Sequence, residues 1–538
     1  MIQILKLLSN ISNKNMKSIL TLFLTLTLNF AFANDGVIVI KPLENGADAT
    51  TIIRNAIEQL RAKKGNKLVL EKGEYHFWPK MAEEKYLYIS NNDHGLMSIA
   101  FNLSGLENVE IDGSGSTFIF HGYISPFLLE KSKNISIKNL SFDYARTFHS
   151  EGKIVNAYTD SLDLSFAKDF PYSVDNYRLN FSDEENNSYP FGHLLEFDAV
   201  KREVAPFALD YINGVENLIA KEISPSLVRI YLPGLKGNVG NILVFQSKNR
   251  LVPGIMISDS ENITVSHVTA FHAGGMGVIA QKSKDIFLDN FNVLSGEGRM
   301  VSLTADATHF ANCSGKISIQ NCVLQSQMDD AGNIHGVYAQ IDSIISEKEI
   351  IIKLAHFQQL GVDYFAVNDS VEFVIPKYLE TYTRNSIASL ERINKTYIKI
   401  TLKYPMSSKV KVGDNLGVLN DNPDVIIKNC TIQKNRARGF LIGTKGKVLI
   451  ENNYFHTWWG AIDLYANGTD WFEQGGVNDL TIRGNVFDDC NYGLNVGLGV
   501  IIVLANMEFN PANPTYYNKN ILIENNTFKI FKSYRNFI

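Results

Sequence analysis

Two adjacent aspartates, Asp329 and Asp330, stand in the stretch "SQMDDAGNIHG" (residues 326–336). A third, Asp306, lies 23 residues before Asp329. Crowded carboxylates repel one another, which raises the pKa of at least one of them and keeps a protonated carboxyl beside an ionised one. Hydrolysis of a glycosidic bond needs such a pair, an acid that protonates the leaving oxygen and a base or nucleophile. We therefore predict that Asp306, Asp329 and Asp330 are catalytic.

Polar side chains near the aspartates could bind the hydroxyls of a sugar. Asn333 and His335 are two residues apart and share one face if the chain is extended there, His309 follows Asp306 by three residues, and Arg299 precedes the same segment. We assign Arg299, His309, Asn333 and His335 to substrate binding. A calcium site, or a variant of an asparagine ladder, is the alternative interpretation of the acidic cluster.

A second cluster occupies the stretch "HTWWGAIDLYANGTDWFEQGG" (residues 456–476). Aromatic rings there could stack on the apolar face of a pyranose, while carboxylates and a nearby arginine bind its hydroxyls. Aromatic anchors for a loop are the alternative for each tryptophan, Trp458, Trp459 and Trp471. The further residues that we predict to bind substrate are Arg438, Asp463, Trp471 and Glu473.

The elements that must position these side chains come from a repeat. Each copy has a short strand with alternating apolar residues, a polar pair and a second short strand, which is a period-two pattern with a bend. Copies that start at residues 262 and 285, and at 424 and 447, are 23 residues apart, about one coil of a right-handed parallel β-helix. The copies are "NISIKNLSFD", "NITVSHVTAF", "DIFLDNFNVL", "KISIQNCVLQ", "DVIIKNCTIQ", "KVLIENNYFH", "DLTIRGNVFD" and "NILIENNTFK".

The same period places the aspartates on neighbouring coils. Asp306 and Asp329 are one coil apart, so we expect them to stack at about 4.8 Å, the distance between paired strands. Asp330 would point to the opposite face of a regular strand, so both adjacent aspartates reach one groove only if "DDAG" bends.

Two long gaps in the repeat contain alternating strand patterns, such as "SLVRIYL" and "TYIKITLKY", and predict small antiparallel β modules. The helical pattern in "ADATTIIRNAIEQLRAKKG" predicts a cap for the first coil. The predicted fold is therefore all-β. Its parts are a signal peptide at 1–33, the cap and first coils at 34–151, an inserted module at 152–250, coils with the aspartates at 251–336, a second inserted module at 337–420, and final coils at 421–538.

The composition indicates which classes of binding partner the chain does not favour. The chain has 538 residues, is 45% hydrophobic and carries a formal charge of −5 without a long basic run, so neither a nucleic acid nor an anionic membrane is favoured. The apolar run at residues 19–32 ends in "AFA" and predicts export to the periplasm, the cell surface or the medium. This run falls short of the roughly 20 residues that span a bilayer.

Cysteine usage gives no sign of a metal. The four cysteines, Cys313, Cys322, Cys430 and Cys490, form no C-x-x-C pair, and two of them take a repeat position that asparagine fills elsewhere. We interpret them as core residues and predict neither a metal nor a cofactor.

From about Gly36 onward the chain resembles glycoside hydrolase family 110, exo-acting α-1,3-galactosidases that remove terminal galactose from blood group B type and related glycans. The resemblance is carried by "LVLEKGEYHFWP", "VEIDGSGSTFIFHG", "GRMVSLTADATHF", "MDDAGNIHG", "RARGFLIGTKGKVLIENNYF" and "DWFEQGGV". It covers nearly the whole chain in order, which makes it more specific than any one motif. Ala331 and Gly332 depart from the proline and valine of the family pattern.

The resemblance implies a β-helix with β-barrel insertions and metal-free hydrolysis with inversion, acting on an oligosaccharide or glycoconjugate with a terminal α-galactose. By analogy with other β-helix glycosidases, Asp329 would be the acid, while Asp306 and Asp330 hold the attacking water. Inversion needs carboxyls about 6.5–9.5 Å apart, more than direct stacking would give. The alternatives are another β-helix glycosidase, of polygalacturonase type, or a carbohydrate-binding solenoid without activity.

Overall fold

The computed structural model describes residues 31–32, 36–493, 498–513 and 516–530. The predicted signal peptide, apart from Ala31–Phe32, and the last residues after 530 lie outside this part of the chain. Within it, no helix has both the length and the apolar character needed to cross a bilayer.

The frame of the molecule is a parallel β-helix, which confirms the predicted fold class. Two sheets run along it. The longer sheet contains Ala31–Phe32, Val37–Ile40, Lys67–Leu70, Glu74–Phe77, Glu107–Phe120, Lys133–Tyr144, Glu261–Ala270, Lys284–Val293, Ser314–Gln320, Val323–Gln325, Asp424–Lys428, Thr431–Gln433, Lys447–Glu451, Tyr454–His456, Asp479–Arg483, Val486–Asp488, Ile521–Glu524 and Thr527–Lys529.

The second sheet, called here the site sheet, has one short parallel strand per coil. Its strands are Gly95–Asn102, Ile124–Glu130, Ile255–Ser258, Val278–Gln281, Thr308–Ala311, Gly332–Ile344, Phe440–Ile442, Ile462–Leu464 and Ile501–Val503, with the antiparallel Glu83–Leu87 at one edge. Glu473–Gln474 pairs antiparallel with Gly332–Ile344.

The repeat folds this way because its apolar positions stack in register. Ile263 pairs with Ile286, and Ile286 with Ile317, so each coil covers the core of the next. The polar pair bends the chain, since its asparagines adopt the left-handed conformation that asparagine tolerates better than most residues. These asparagines include Asn139, Asn290, Asn321, Asn429, Asn452 and Asn525, with φ between 52° and 56°.

The first coils are covered by the helix Thr50–Arg61, whose buried face comprises Ile52, Ile53, Ala56, Ile57 and Leu60. Short 3-10 turns lie at Glu44–Gly46, Pro79–Met81, Val215–Asn217 and Phe357–Gln359. Three of the four cysteines are buried in the core and Cys490 is half-buried.

The first inserted module is a seven-stranded antiparallel sheet. Its strands in spatial order are Glu203–Val204, Phe191–Asp198, Ile242–Ser247, Ser150–Tyr158, Ser161–Phe166, Leu227–Tyr231 and Ile219–Ser224, accompanied by the hairpin Tyr172–Asp175 and Arg178–Phe181. The module replaces the turn that leads into the site-sheet strand Ile255–Ser258.

The second inserted module is a closed six-stranded barrel. Its strands in order are Glu349–Lys353, Tyr397–Leu402, Glu380–Arg392, Ser370–Ile375, Asn415–Val418 and Gly332–Ile344, and the last pairs with the first. Strand Gly332–Ile344 belongs to both the site sheet and the barrel, so it runs across the predicted boundary at 336. The two modules therefore leave the β-helix at opposite ends of the site-sheet strands.

Candidate active site

The three aspartates lie in the turns that lead into two neighbouring site-sheet strands. Thr308 pairs with Gly332, which aligns Asp306 with Asp330, and the amide of Ala307 donates to the Asp330 carbonyl at 2.9 Å. The expected stacking of Asp306 on Asp329 is therefore wrong by one residue, because these two coils pair at a spacing of 24 residues rather than 23.

The carboxylates nevertheless meet, as the bend in "DDAG" allows. One oxygen from each of Asp306, Asp329 and Asp330 lies within 4.8 Å of the others. Asp306 and Asp330 are almost fully buried, whereas the side chain of Asp329 keeps 16% of its exposure. Asp329 therefore faces the open end of the site and the other two form its floor.

The aspartates line a cavity of about 510 Å³, large enough for a monosaccharide and part of a second sugar. Its walls combine the turns of the β-helix with side chains from both modules. They are Asn91, His193, Ile212, Gln246, Ser247, Lys248, Arg250, Asp306, His309, Asp329, Asp330, Asn333, Phe357, Gln358, Arg436, Ala437, Arg438, Leu441, Trp459, Tyr465, Trp471 and Glu473.

Three arginines, Arg438, Arg250 and Arg436, form ion pairs with Asp329 or Asp330 and compensate the negative charge there. Arg438 donates from Nε and Nη2 to both carboxylate oxygens of Asp330, at 3.0 and 3.1 Å. Arg250 donates to Asp329 Oδ2 at 2.7 Å. Because guanidinium groups already occupy these oxygens, the cluster is a poor cation site, which counts against the calcium interpretation.

The pKa values of the two floor aspartates are shifted upward. Burial raises the pKa of Asp306 to about 8, and the charge of Asp329 adds to the rise. Burial likewise raises the pKa of Asp330 to about 8, although Arg438 opposes it. Asp306 therefore favours its protonated form at neutral pH, whereas the bidentate ion pair with Arg438 opposes protonation of Asp330.

The pKa of Asp329 is shifted downward. Burial alone would raise the pKa of Asp329, but the charges of Arg436, Arg250 and Arg438 outweigh burial, and the pKa is lowered. The ligand-free site thus holds the ionised carboxylate of Asp329 next to the protonated carboxyl of Asp306, the combination that acid–base catalysis needs.

A chain of hydrogen bonds fixes the proton on Asp306. His335 Nδ1 lies 2.7 Å from the carbonyl of Gly336, which can only accept, so Nδ1 carries the proton and the neutral ring accepts at Nε2. His309 Nε2, 2.9 Å away, must then donate to it, which leaves His309 Nδ1 to accept from Asp306 Oδ2 at 2.7 Å. Burial lowers the pKa of His309 to about 4 and that of His335 as well, in agreement with two neutral rings.

The remaining wall joins the floor of the cavity to its mouth. Glu473 Oε1 accepts from Asn333 Nδ2 at 3.4 Å and from Asn91 Nδ2 at 3.3 Å. Trp471, two residues earlier, lies at the mouth and is 41% exposed. On another wall the guanidinium of Arg438 stands 5.2 Å from the ring centre of Trp459.

Most of the predicted site residues meet in the cavity. Eight line it: Asp306, Asp329, Asp330, His309, Asn333, Arg438, Trp471 and Glu473. His335 lies directly behind His309. Asp463 is buried near Arg438, and burial raises the pKa of Asp463 to about 6. Asp463 pairs with Leu441, and Leu441 pairs with Asn333. Asp463 therefore lies two coils beyond Asn333 on the same face of the site sheet.

One residue that we predicted to bind substrate pairs elsewhere. Arg299 is not among the cavity residues, because its guanidinium donates to both oxygens of Asp143, at 2.9 and 2.7 Å, beside the base of the first module. The assignment of Arg299 to the substrate therefore has no support in the structure. Trp458 is fully buried in a core cluster and offers no face to a sugar.

Sequence reasoning missed the residues that the inserted modules bring to the site. The first module and its exit strand provide His193, Ile212, Gln246, Lys248 and Arg250, and the second provides Phe357 and Gln358. Both stretches lack the coil repeat, so no spacing relates them to the aspartates.

Asp210 of the first module reaches the aspartates through an arginine. Arg436 donates from Nε and approaches with Nη2 to Asp210 Oδ2, at 2.9 and 2.8 Å, and Arg436 Nη1 donates to Asp329 Oδ1 at 3.3 Å. Arg436 and Asp210 are both largely buried. The first module thus helps to set the charge around Asp329.

Three family models match parts of the chain. Residues 150–243 match "GLAA-B beta-barrel domain I", residues 349–416 match "GLAA-B beta-barrel domain II", and residues 416–532 match "Right handed beta helix region". The two barrel matches fall on the two inserted modules.

Close relatives are similar over nearly the full chain. Alpha-1,3-galactosidase A of Shewanella woodyi is 35% identical over 90% of this chain and 80% of its own length. Alpha-1,3-galactosidase B of Bacteroides thetaiotaomicron is 31% identical over 91% of this chain and 81% of its own length. A relative from Akkermansia muciniphila, also named alpha-1,3-galactosidase B, is 30% identical over 90% of this chain and 62% of its own length.

Proposed function

We propose, from the premise that this chain belongs to the α-1,3-galactosidase family, that it is an exo-acting glycosidase that releases terminal α-1,3-linked galactose from oligosaccharides or glycoconjugates. The observation that carries this proposal is the meeting of Asp306, Asp329 and Asp330 within 4.8 Å at the floor of a cavity of sugar size. Linear α-galactosyl glycans and the fucosylated blood group B antigen are the proposed substrates.

The cavity suits the end of a glycan chain. Buried carboxyls close its floor, with a histidine pair beside them, and exposed aromatic rings flank its open mouth. A terminal sugar can therefore enter while the rest of the glycan stays outside. Arginine, asparagine and glutamate side chains on the walls can bind hydroxyls. This arrangement favours exo-action over cleavage within a chain.

Asp329 is the proposed general acid. In an exo-enzyme the leaving sugar points toward the mouth of the site, and Asp329 is the most exposed of the three aspartates. Its ion pairs favour the ionised form before substrate binds, so it must receive a proton, and Asp306 holds one within 4.8 Å. A sugar hydroxyl that binds Arg250 in place of Asp329 would remove one ion pair from Asp329, which would raise the pKa of Asp329 and favour this proton transfer.

The two floor aspartates then become the proposed base. A proton that leaves Asp306 for Asp329 leaves behind a carboxylate that, with Asp330 beside it, can activate water against the anomeric carbon. The trio therefore works as one unit that shares its proton.

Inversion is the proposed stereochemical outcome. The separation of the trio is shorter than the roughly 6.5–9.5 Å of most inverting pairs, so the water would have to be bound between the floor carboxyls themselves. Proton NMR of the first product decides the outcome. β-Galactose as the first anomer supports inversion, and α-galactose would assign retention.

Neither alternative function is favoured. A polygalacturonase-like enzyme binds an acidic sugar, whereas the curated relatives over this length are named α-1,3-galactosidases. A binding solenoid has no need of a buried carboxylate trio with opposed pKa shifts. We also propose that residues 1–33 direct export.

The test is galactose release from two substrates, a linear α-1,3-linked galactosyl trisaccharide and the fucosylated B trisaccharide, by wild type and by Asp330→Asn, with and without a chelator. We expect release by wild type in both buffers and a loss of at least about 1,000-fold in the variant. A folded wild-type protein that releases no galactose from either substrate would refute the proposed function.

A further inference from the structure

We propose that Phe357 and Trp471 form an acceptor platform, the surface on which the sugar that carries the terminal galactose stacks. This inference rests on the proposed function and deepens it. It assigns to the second inserted module the recognition of a hexopyranose on the leaving side of the bond that is cut.

The first observation is exposure. Phe357 is 63% exposed and Trp471 is 41% exposed, yet both line the cavity whose floor is almost fully buried. Two large exposed aromatic rings that line one cavity present apolar surface that a ligand can cover. The apolar face of a pyranose is the complementary surface.

The second observation is that the rings are held in place. His356 contacts both rings, since the centre of its ring is 4.5 Å from that of Trp471 and 4.7 Å from that of Phe357. The side chain of Gln359 donates to the backbone oxygen of Trp471 at 2.8 Å. The short helix Phe357–Gln359 is therefore tied to the Trp471 loop before any ligand binds, which lowers the entropy cost of stacking.

A further bond ties the same helix to the β-helix frame. The amide of Asn91 donates to the carbonyl of Gln358 at 3.0 Å, and the Asn91 side chain donates to Glu473 at the floor. The platform and the floor are thus connected through Asn91 and through the two-residue step from Trp471 to Glu473.

The position of the platform identifies its ligand. Galactose at the floor would place its anomeric carbon against the aspartates, and the leaving oxygen toward the more exposed Asp329. The next sugar must then pass the mouth, where Phe357 and Trp471 are the exposed aromatic rings among the cavity residues. The platform therefore binds the sugar that carries the terminal galactose, not the terminal galactose itself.

The experiment compares Phe357→Ala and Trp471→Ala with wild type on the linear trisaccharide, with the released disaccharide as the readout. We expect each variant to raise KM by about tenfold, equivalent to about 1.4 kcal/mol for one lost aromatic contact, with kcat within twofold. The Kd of free galactose, measured by calorimetry, should stay within about twofold of wild type, because galactose binds at the floor.

Two controls keep the result interpretable. Phe357→Tyr retains a ring and should keep most of the affinity. Phe509→Ala removes another exposed phenylalanine, one that does not line the cavity, and should change nothing. An unchanged KM in both alanine variants of an active protein would overturn the platform, and so would a weakened Kd for galactose. Inactive wild type would instead refute the proposed function.

Discussion

The two inserted modules approach one cavity from opposite ends of the site-sheet strands and contribute different things to it. The first module sends charged and polar groups toward the aspartates, above all Asp210 through Arg436. The second sends a short helix that carries Phe357 to the mouth. One module therefore acts on the charges of the reaction, and the other on the sugar that leaves.

This difference follows from where each insertion leaves the β-helix. The first module replaces a turn on the side where later coils place Asp306, Asp329 and Arg436, so its loops lie against the same charged groups. The second grows from the far end of strand Gly332–Ile344, and only its helix Phe357–Gln359 returns to the cavity. A repeat fold can thus keep its chemistry on the coils and vary recognition through insertions.

The largest loss of activity should come from substitution of the three aspartates, which belong to neither inserted module. The effects of substitutions in the two modules are compared with this loss. Asp306→Asn, Asp329→Asn and Asp330→Asn should each lower kcat on the natural linkage by at least about 1,000-fold. On an aryl α-galactoside whose leaving group needs no proton, Asp329→Asn should recover to within about 100-fold of wild type, while the other two should not.

The steady-state rates of the three variants on both substrates provide this test. Recovery by Asp306→Asn or Asp330→Asn instead of Asp329→Asn would move the acid to the floor of the cavity, where burial already favours the protonated form.

The next effect should come from the first module. Asp210→Asn leaves the charge of Arg436 uncompensated, so Arg436 should stabilise ionised Asp329 more strongly and lower the pKa of Asp329 further. An acid that loses its proton at lower pH works over a narrower range, so kcat should fall by about tenfold and the alkaline limb of the pH profile should move to lower pH.

The wild-type profile supplies the reference. Because burial raises the pKa of Asp306 and Asp330 to about 8, the trio keeps its working proton at neutral pH and loses it as the pH rises past about 8. Asp175→Asn, at an exposed position of the same module, should leave the profile unchanged. An alkaline limb that Asp210→Asn does not move would separate the first module from the chemistry.

The smallest effect should come from the support of the platform. Gln359→Ala removes the donor to the Trp471 backbone and should raise KM by about threefold without a change in kcat, the size of one modest hydrogen bond. Gln359→Ala should change KM alone, whereas Asp210→Asn should lower kcat, so the two kinetic constants distinguish the two variants. A fall in kcat of equal size in both variants would erase the difference between the modules.

The sequence predicted the β-helix because eight copies of the repeat are visible in it, and the left-handed asparagines stand where the polar pairs bend the chain. It predicted the cluster of aspartates because Asp306 lies about one coil before the adjacent pair Asp329 and Asp330, and crowded carboxylates have few structural uses. The register was off by one residue, since the spacing of 23 residues elsewhere in the repeat does not hold between strands Thr308–Ala311 and Gly332–Ile344.

The rest depended on contacts that no local pattern records. Asp210 and Arg436 are 226 residues apart and meet only because the first module folds back on the coils. Arg299 has the right residue type but pairs with Asp143. Phe357 lies in a stretch without the repeat, and its exposure beside the cavity becomes evident only in three dimensions.

The most direct test of this division of labour is a crystal structure of Asp330→Asn with the linear α-1,3-linked galactosyl trisaccharide bound. We predict the terminal galactose at the floor, with the glycosidic oxygen within hydrogen-bond distance of Asp329 and the second sugar stacked on Phe357 and Trp471. A trisaccharide bound with its galactose away from the aspartates, or with its second sugar against the first module, would contradict the account.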